Sequence, residues 1–408
     1  MTSKRPCFLT RYDGHMALAN SRALELAGIT AATTDPPGGE IHRASTNKRP
    51  TGILRDTAMR LVADIMPATT DDEMVEAIEA ALKLAGRLGV TSLDDMEGDG
   101  PASRRRLLRL YQQLAREGRL TARIQLRWPL EDWSQLADLG IQAGFGGELV
   151  TVGSLKGFID GSLGSSTAKM WQPYVNEPGS TGIFVTPPER LGELIRTADA
   201  SGLAVAVHAI GDRGNSTLLD LFAEVANKNG ARDRRFRIEH AQHLRPEDFA
   251  RFAVENVIAS MQPYHAIDDG RWAEGRIGAE RCRSSYAFRS LLDQGARLAF
   301  GSDWPVAPLD PLTGIDAAVN RRTLDGNHPD GWFPEQRITA AEAVRAYTLD
   351  AAYANFSEER SGSIAPGKLA DLVVLSRDIL AEEERSRIAE ARVTITVVAG
   401  RIVYQKEH

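Results

Sequence analysis

Several features that would place the chain in a specialised class are scarce or missing. Its 408 residues include only two cysteines, Cys7 and Cys282, which suits a reducing compartment and excludes a disulfide framework. No run of about 18 apolar residues is present, so the sequence predicts no membrane span. The net charge is -6 without a basic block, which argues against a nucleic-acid partner. The opening "MTSKRPCFLTRYDGH" lacks the apolar segment of a signal peptide, so we expect a soluble, cytoplasmic protein that acts on a small molecule.

The chain does contain short apolar runs that alternate with amphipathic helical stretches. Seven runs have the composition of buried β-strands: Gly89–Met96, Ala122–Trp128, Val150–Gly161, Leu203–Asp212, Arg235–Gln242, Val257–Tyr264 and Ala296–Val306. Strands that alternate with helices predict parallel βαβ units, and strands apolar on both faces are typical of a sheet covered by helices. The sequence therefore predicts an α/β fold, a TIM-like (β/α)8 barrel that lacks one strand.

The two ends of the chain have a different pattern. Gly362–Leu380 and Ala391–Gln405 contain short β runs with no helical crossover between them, which predicts a small antiparallel unit, part of a β-sandwich. The first sixty residues are rich in turns, and we expect them to form an excursion from the barrel. The expected domains are residues 1–358, the barrel with this excursion, and residues 359–408, the C-terminal part of the sandwich.

Four of the predicted strands end in a side chain that could hold a metal ion. These residues are Lys156, His208, His240 and Asp303. Each has an ordinary alternative: a strand-end histidine is more often hydrogen-bonded packing, Asp303 in "GSDWP" could cap a helix, and Lys156 could belong to an ion pair. Together the four residues are stronger evidence for a metal site than any one of them alone. Active sites of this fold lie at the carboxyl ends of the strands, and Zn²⁺ needs N and O donors that converge.

Lys156 is the unusual member of this set, because an ammonium group has no lone pair with which to bind a metal. Burial favours loss of its proton. The neutral amine could then react with CO2 to form a carbamate, which offers an oxygen donor. On this interpretation Lys156 is a latent carboxylate inside an apolar strand.

Other side chains near the strand ends are weaker candidates for substrate binding. They are His15, His243, Trp171, Tyr264 and Trp304, and His265 also lies near a strand end where it could line the pocket. His243 could equally cap the following helix, and His15 could buttress the N-terminal excursion. For each aromatic residue, packing is the simpler explanation.

Ordered blocks along nearly the whole chain resemble the amidohydrolase superfamily of metal-dependent hydrolases. The branch it resembles contains N-substituted formamide deformylase and exoenzyme-regulatory amidohydrolases. The blocks are "FLTRYDGHMALANSRALELAGI" (Phe8–Ile29), "PTGILRDTAM" (Pro50–Met59), "GFIDGSLGSSTA" (Gly157–Ala168), "VAVHAIGDRGN" (Val205–Asn215), "RIEHAQHL" (Arg237–Leu244), "FGSDWPVAPLDP" (Phe300–Pro311) and "GSIAPGKLADLVVL" (Gly362–Leu375).

The resemblance implies a function and a role for each strand-end residue. It implies hydrolysis of a C–N bond in an amide, formamide or cyclic amide by water activated on a divalent metal, zinc being the expected ion. Lys156, carboxylated by CO2, would bridge two metals. His208 and His240 would bind the outer metal, while Asp303 would bind the inner metal and transfer the proton.

One element of the family pattern is missing from the printed sequence. The family's first barrel strand ends in His-x-His, and none of the eight histidines here forms that motif. The expectation is therefore one metal or none in this chain, at the outer position, against two in an intact homologue. The alternative to an enzyme is a truncated or metal-poor pseudoenzyme that binds a ligand without full catalysis. The sequence leaves a homo-oligomer open.

Overall fold

The computed structural model describes residues 4–10, 16–36, 39–67, 69–96 and 101–407. The chain forms two compact units, residues 1–74 and residues 75–408. His15 lies outside the described residues, so its predicted role is not addressed by the structure. The expected boundary between residues 358 and 359 stays a prediction.

The first unit is built on a four-stranded antiparallel sheet in the order β1-β2-β4-β3. Its elements are β1 Phe8–Thr10, β2 Met16–Ala19, β3 Gly39–Arg43, β4 Pro50–Asp56, α1 Ser21–Leu26 and α2 Arg60–Ala63. One face of the sheet supplies Ala19, Ile41 and Leu54 to a small core that Val62 also joins. The sequence had indicated an irregular excursion here, because these strands are short and the turns between them dominate the local composition.

The second unit contains the parallel sheet on which the candidate site lies. Its strands are β5 Ser92–Asp95, β6 Arg123–Pro129, β7 Phe145–Gly146, β8 Val150–Phe158, β9 Ala204–Ala209, β10 Arg237–His240, β11 Ile258–Met261 and β12 Leu298–Phe300. Seven of them pair in parallel in the order β5-β6-β8-β9-β10-β11-β12, and β7 is a short antiparallel addition to β8. Each of the seven predicted runs supplies one parallel strand, so the TIM-like α/β prediction is confirmed. Within the described residues, β5 and β12 are the two edges of this curled sheet.

Helices follow the strands, as expected for parallel crossovers. They are α3 Asp71–Arg87, α4 Pro101–Arg116, α5 Ser134–Ala137, α6 Pro188–Ala200, α7 Asp212–Asn229, α8 Phe249–Val254, α9 Pro263–Asp269, α10 Ala273–Ile277, α11 Ala279–Cys282, α12 Phe288–Asp293, α13 Pro311–Asn320, α14 Ala340–Tyr347 and α15 Leu349–Ala354. Local sequence fixes several ends: Asp310 caps α13, and Thr339 with Glu342 forms a capping box on α14. Among the helices that the described residues form, none combines the length and apolar character needed to cross a membrane.

The tail forms a three-stranded antiparallel sheet, as the sequence predicted. Its strands are β13 Leu372–Leu375, β14 Val393–Val398 and β15 Arg401–Gln405. The tail belongs to the same compact unit as the parallel sheet, and polar contacts join the two. Arg123 of β6 donates from Nε and Nη2 to the two carboxylate oxygens of Asp371 at 2.6 and 2.8 Å. Thr396 donates from its hydroxyl to the carbonyl of Gly86 at 2.7 Å.

The Arg123–Asp371 pair gives a stability prediction, because both side chains are almost fully buried, at 11% and 8% exposed. Asp371→Ala leaves the guanidinium without its counter-charge, so we expect a loss of about 3 kcal/mol in the free energy of unfolding. Glu148→Ala is the matched control, because Glu148 pairs with Arg360 at the exposed surface, and it should cost less than about 1 kcal/mol. Urea unfolding measures both, and equal losses would contradict the role given to the buried pair.

Candidate metal centre and active site

The parallel sheet brings the four strand-end residues to one edge. Phe158 of β8 pairs with His208 of β9, and Ala209 pairs with His240 of β10, so neighbouring strands end at nearly the same level. The rings of His208 and His240 lie edge to face with centroids 4.6 Å apart. Lys156 lies two residues before the end of β8, and Asp303 follows β12 by three residues.

Two of these residues have a backbone conformation that side-chain-bearing residues rarely adopt. The φ angle is +77° at His240 and +61° at Asp303. Such left-handed positions cost roughly 1–3 kcal/mol each and persist where the surrounding structure holds them, which is common at functional sites. In a regular strand the side chains of Glu239 and His240 would point to opposite faces of the sheet. Glu239 lies among buried polar side chains and accepts from Ser260, and the left-handed backbone at His240 lets the next side chain contact His208 as well.

The closest grouping of possible ligand atoms includes a histidine that was not among the four. Donor atoms of His240, His265 and Asp303 all lie within 4.8 Å of one another. His265, in α9 just after β11, has its Nε2 at 3.1 Å from Oδ2 of Asp303. Nδ1 of His240 is buried and has no hydrogen-bond partner among the described residues. A buried imidazole nitrogen without a partner is what a metal ligand leaves when its ion is removed.

The imidazoles of His208 and His240 are held in the neutral state that a metal ligand requires. Burial, together with the charge of Lys156, lowers the pKa of His208 to about 4. Burial also lowers the pKa of His240 well below its usual value, and His208 adds to the effect. Nε2 of His208 donates to the carbonyl of Gly161 at 3.0 Å. Because Nε2 carries the proton, Nδ1 keeps a lone pair that can bind a metal, and this arrangement is common for histidines that bind metals.

Asp303 and His265 form a hydrogen-bonded pair in which each shifts the pKa of the other. Burial raises the pKa of Asp303, but the hydrogen bond from His265 and the electrostatic effects of His265, His240 and Lys156 outweigh burial and lower the pKa below its usual value. Burial lowers the pKa of His265, yet the bond to Asp303 outweighs it and raises the pKa. Asp303 is therefore an ionised carboxylate that accepts a hydrogen bond from His265.

Lys156 has the environment that the sequence interpretation required. Burial lowers the pKa of its ammonium group to about 8, against the opposing charges of Glu239 and Asp303. Within the described chain its Nζ makes no ion pair within 4 Å, and it lies 4.8 Å from the ring centroid of Phe158. About a tenth of the amine is therefore neutral at pH 7, far more than for an exposed lysine.

Beneath the site lies a buried layer of charged side chains. Asp94 accepts from Arg237 Nη2 at 2.6 Å and from Arg127 Nη2 at 3.0 Å. Arg237 also donates from Nε to Glu239, and Ser260 donates to the other oxygen of Glu239 at 2.6 Å. Two guanidinium groups thus face two carboxylates, and the layer is neutral without Lys156.

Asp160 connects the loops that surround His208. Its fully buried carboxylate accepts backbone N–H groups from Ile210 at 3.0 Å, and from Gly211 and Lys169 at 2.8 Å each. Its Oδ1 also lies 3.6 Å from Nε2 of His208. Burial raises the pKa of Asp160 to about 7 even against these three donors. The carboxylate therefore ties the loop after β8 to the loop after β9 and fixes the surroundings of His208.

Comparison with known proteins places this geometry in a family. Residues 2–404 match the family model described as "Amidohydrolase family". The chain belongs to the amidohydrolase family. The resemblance drawn from the sequence blocks is thereby confirmed.

Three known proteins illustrate how similar this amidohydrolase is to its relatives. It is 42% identical to Protein LONG AFTER FAR-RED 3 of Arabidopsis thaliana, over 99% of this chain and 70% of that protein. It is 28% identical to N-substituted formamide deformylase of Arthrobacter pascens, over 98% of this chain and 74% of that enzyme. The crystal structure of an uncharacterized metal-dependent hydrolase from Pyrococcus horikoshii OT3 superposes with a TM-score of 0.78 at 30% identity, covering 93% of this chain and 73% of that one.

The predicted substrate-binding residues of this amidohydrolase occupy different environments. Trp171 and Trp304 are 46% and 44% exposed in loops at the carboxyl edge, and Tyr264 is half-buried at the start of α9. His243 is only 1% exposed; its Nδ1 lies 2.7 Å from Ser285 Oγ and its Nε2 lies 3.0 Å from Gln242 Nε2. A substrate-binding role for any of these residues stays a prediction.

Sequence reasoning missed Asp160 and Glu239, and it gave His265 only as a residue that could line the pocket. His265 had a usable signal, since "QPYH" follows an apolar strand in the same way as the chosen residues do. Asp160 in "GFIDG" and Glu239 in "RIEH" also lie at strand ends. Their roles depend on backbone donors and buried cations that are distant in sequence, so no local pattern could identify them.

The buried network behind the site leads to a pH-dependent prediction. Asp269 accepts from Gln242 at 2.7 Å and from the Tyr286 hydroxyl at 2.6 Å, and burial raises its pKa to about 6. An unfolded aspartate titrates near about 3.9. Between about pH 4 and 6 the folded protein therefore keeps a proton that the unfolded chain has lost, and this contribution to stability is lost as the pH rises through that window.

Asp269→Asn has no such proton, and urea unfolding at several pH values tests this. We subtract the free energy of unfolding of the variant from that of the parent at each pH. This difference should fall by about 2–3 kcal/mol between pH 4 and pH 7. Asp268→Asn is the matched control, because Asp268 is half-exposed and pairs with Arg271, and its difference should change by less than about 1 kcal/mol. A difference for Asp269→Asn that does not change with pH would contradict the prediction.

Proposed function

We propose that this amidohydrolase uses a divalent metal ion to hydrolyse a C–N bond in an amide, formamide or cyclic amide of a small molecule. The observation that carries the proposal is the buried Nδ1 of His240, which has no partner among the described residues and lies in a shell that contains His208, His265 and Asp303. Among the relatives, the name N-substituted formamide deformylase indicates cleavage of a formamide C–N bond, and the Pyrococcus structure is described as a metal-dependent hydrolase.

The donor set fits a metal such as zinc. Zinc in catalytic sites is held by three protein ligands drawn from nitrogen and carboxylate oxygen, with one position left open. His208, His240 and Asp303 supply two neutral imidazoles and one ionised carboxylate. We assign these three as ligands, and we assign His265 to Asp303, because its raised pKa suits a hydrogen-bond donor better than a ligand. A bound divalent ion would lower the pKa of a water molecule and polarise the substrate carbonyl.

Lys156 would complete this set as a carbamate. Its neutral amine adds to the carbon of CO2, one N–H proton is released, and the product is a carboxylate oxygen donor on the same side chain. Three features support the assignment: the half-buried position, the pKa lowered to about 8, and a charged layer that is already neutral without Lys156.

Asp303 would move the proton during hydrolysis. As an ionised carboxylate among the metal ligands, it would accept a proton from the attacking water and return it to the nitrogen that leaves. The hydrogen bond from His265 orients the carboxylate and holds it ionised until that step. The exposed Trp171 and Trp304 would flank the substrate at the carboxyl edge.

The second candidate function is a protein that keeps the pocket and binds a small molecule without catalysis. The relative that is 42% identical, LONG AFTER FAR-RED 3, has a name that describes no reaction. The two functions differ in metal content and in turnover of amides and formamides. Metal analysis and a hydrolysis assay therefore separate them. A cytoplasmic location and a homo-oligomeric state stay predictions.

Lys156→Ala tests the carbamate. Metal affinity should fall by more than about 100-fold, since even residues behind the ligands commonly contribute 10–100-fold. Hydrolysis of a panel of N-substituted formamides and amides should fall with it. Bicarbonate should not restore metal binding, whereas a short carboxylic acid such as propionate should restore part of it.

Elemental analysis of protein purified without chelator measures the metal content in this test. Lys83→Ala, on the exposed face of α3, is the control and should keep both metal and activity. A Lys156→Ala protein that binds as much metal as the parent would show that no carbamate is needed. A metal-loaded parent that hydrolyses no member of the panel would favour the binding function.

A pair of histidine variants tests the ligand assignment. His208→Ala should lose the metal, because it removes a ligand. His265→Asn should keep the metal but lower kcat by about 10- to 100-fold, because Asp303 loses the donor that orients it. His328→Ala, away from the strand ends, is the control. If His265→Asn loses the metal and His208→Ala keeps it, the ligands are His240, His265 and Asp303, the three residues already in closest proximity.

A further inference from the structure

Beside the candidate metal centre, two cations have no acidic partner. Within the described chain, neither Lys169 nor Arg213 has a carboxylate oxygen within 4 Å. Lys169 donates from Nζ to the Thr181 hydroxyl and to the Gly182 carbonyl, both at 3.0 Å, which leaves one of its three donors. The guanidinium of Arg213 makes no hydrogen bond to another described residue. Because most partly buried cations are paired with an acid, these two side chains could each bind an anionic group.

Aromatic rings lie near the Arg213 guanidinium. Its central carbon is 5.0 Å from the ring centroid of Trp171 and 5.8 Å from that of Phe184, distances at which a cation is attracted to a ring. Because its N–H groups donate to no other described residue, they are available for a carboxylate. Arg245 also lies 5.3 Å from the Trp171 ring but pairs with Glu247, so Arg213 is the uncompensated member.

The segment that presents these groups is fixed before any ligand binds. The backbone N–H of Trp171 donates to Oδ1 of Asp212 at 2.8 Å. Arg281 holds the next part of the loop by donating to the carbonyls of Gln172 at 3.0 Å and Pro173 at 2.9 Å. A binding group that is already ordered loses little conformational entropy on binding.

The two cations lie on the same edge of the sheet as the candidate metal ligands. The backbone N–H of Lys169 donates to Asp160, the carboxylate that lies 3.6 Å from His208. The carbonyl of Lys169 accepts the backbone N–H of Arg213 at 3.1 Å. Asp160 and the backbone of Lys169 therefore connect Arg213 to the surroundings of His208.

The local charge also favours an anion. Burial lowers the pKa of Lys169, and the neighbouring Arg213 guanidinium lowers it further, as expected where two cations repel. Asp212 is the nearest acid along the chain, but its Oδ1 already accepts backbone N–H groups from Trp171 and from Arg213.

We propose that Arg213, with Lys169 beside it, forms an anion subsite that binds the acidic group of the substrate. This inference rests on the proposed hydrolysis and narrows its substrate class to amides or formamides that carry a carboxylate or a comparable oxyanion. The forked guanidinium binds the oxyanion through paired N–H bonds, and the Trp171 ring lies against the intervening part of the molecule. Arg213 is thus a residue that determines specificity.

A binding experiment with a matched pair of probes tests the subsite without requiring turnover. 2-Phenylethanesulfonate carries an oxyanion that binds metals weakly, and 2-phenylethyl methyl sulfone is its neutral counterpart. By isothermal titration calorimetry, the parent should bind the sulfonate at least about tenfold more tightly than the sulfone, because charge-assisted hydrogen bonds commonly contribute that much. Equal binding by the parent would overturn the proposal.

Variants connect the preference to Arg213. R213Q should bind the two probes within about twofold of each other, because the neutral side chain gives no charge-assisted bond. R190Q, on the exposed surface of α6, should keep the parent's preference. R213K keeps the charge but not the forked guanidinium, so the preference for the sulfonate should fall by at least about threefold. If R213Q does not fold, R213K tests the proposal in its place. Full preference in R213Q, or in R213K when R213Q does not fold, would overturn the proposal.

A hydrolysis experiment separates this inference from the function on which it rests. N-Formyl-β-alanine should be cleaved with a higher kcat/KM than N-formyl-3-aminopropanol, and R213Q should remove the difference. Equal values for the parent would overturn the claim that the subsite serves the substrate. If the metal-loaded protein cleaves neither compound, the proposed function fails for formamides, while the sulfonate experiment still decides whether the subsite exists.

Discussion

The parallel pairing of β8, β9 and β10 is the constraint on which the candidate site depends. Because these strands run side by side in one direction, Phe158 pairs with His208 and Ala209 with His240. Residues far apart in sequence therefore reach the same edge of the sheet. A slip of one residue would turn Lys156 away from the interior, since side chains alternate along a strand. The left-handed backbone at His240 and Asp303 then directs the last side chains into the space that the register creates.

Charge balance inside the sheet gives this edge its chemistry. Asp94 and Glu239 neutralise Arg127 and Arg237, and Asn355 donates to the remaining oxygen of Asp94 at 3.0 Å. Burying a charge is costly unless it is paired, so the layer is stable only as a set. Lys156 stands next to this neutral set as an additional cation. A carbamate on Lys156 or loss of its proton would remove that extra charge, and a divalent ion would then find anionic and neutral donors in place of an ammonium group.

The parts of the fold that the sequence predicted correctly are those with strong local patterns. The seven parallel strands were recognisable because each is a continuous apolar run between turn residues, and the tail sheet because its runs lack a helical crossover. The antiparallel sheet of the first unit was not recognised, because its first strand, Phe8–Thr10, has only three residues and turns dominate the region.

In the candidate site, too, the residues with a local sequence signal were predicted and those that depend on tertiary contacts were not. Lys156, His208, His240 and Asp303 could be chosen because each ends a predicted strand, and the structure brings them to one edge. His265 could be named only as a possible pocket residue, because its part in the site comes from the contact with Asp303. Asp160 was missed because its partners are backbone N–H groups of Lys169, Ile210 and Gly211, which no sequence pattern marks. The role of a buried carboxylate depends on which donors surround it, and that is a tertiary property.

The central claim is that His208, His240 and Asp303 hold a metal ion at the carboxyl edge of the sheet. Anomalous diffraction tests it most directly, using crystals of protein purified without chelator, with data collected on both sides of the zinc absorption edge. The account predicts an anomalous peak about 2.0–2.2 Å from a ring nitrogen of His208, a ring nitrogen of His240 and a carboxylate oxygen of Asp303. Zinc-loaded crystals that show no peak there, with His240 Nδ1 bonded to another protein group, would contradict the account.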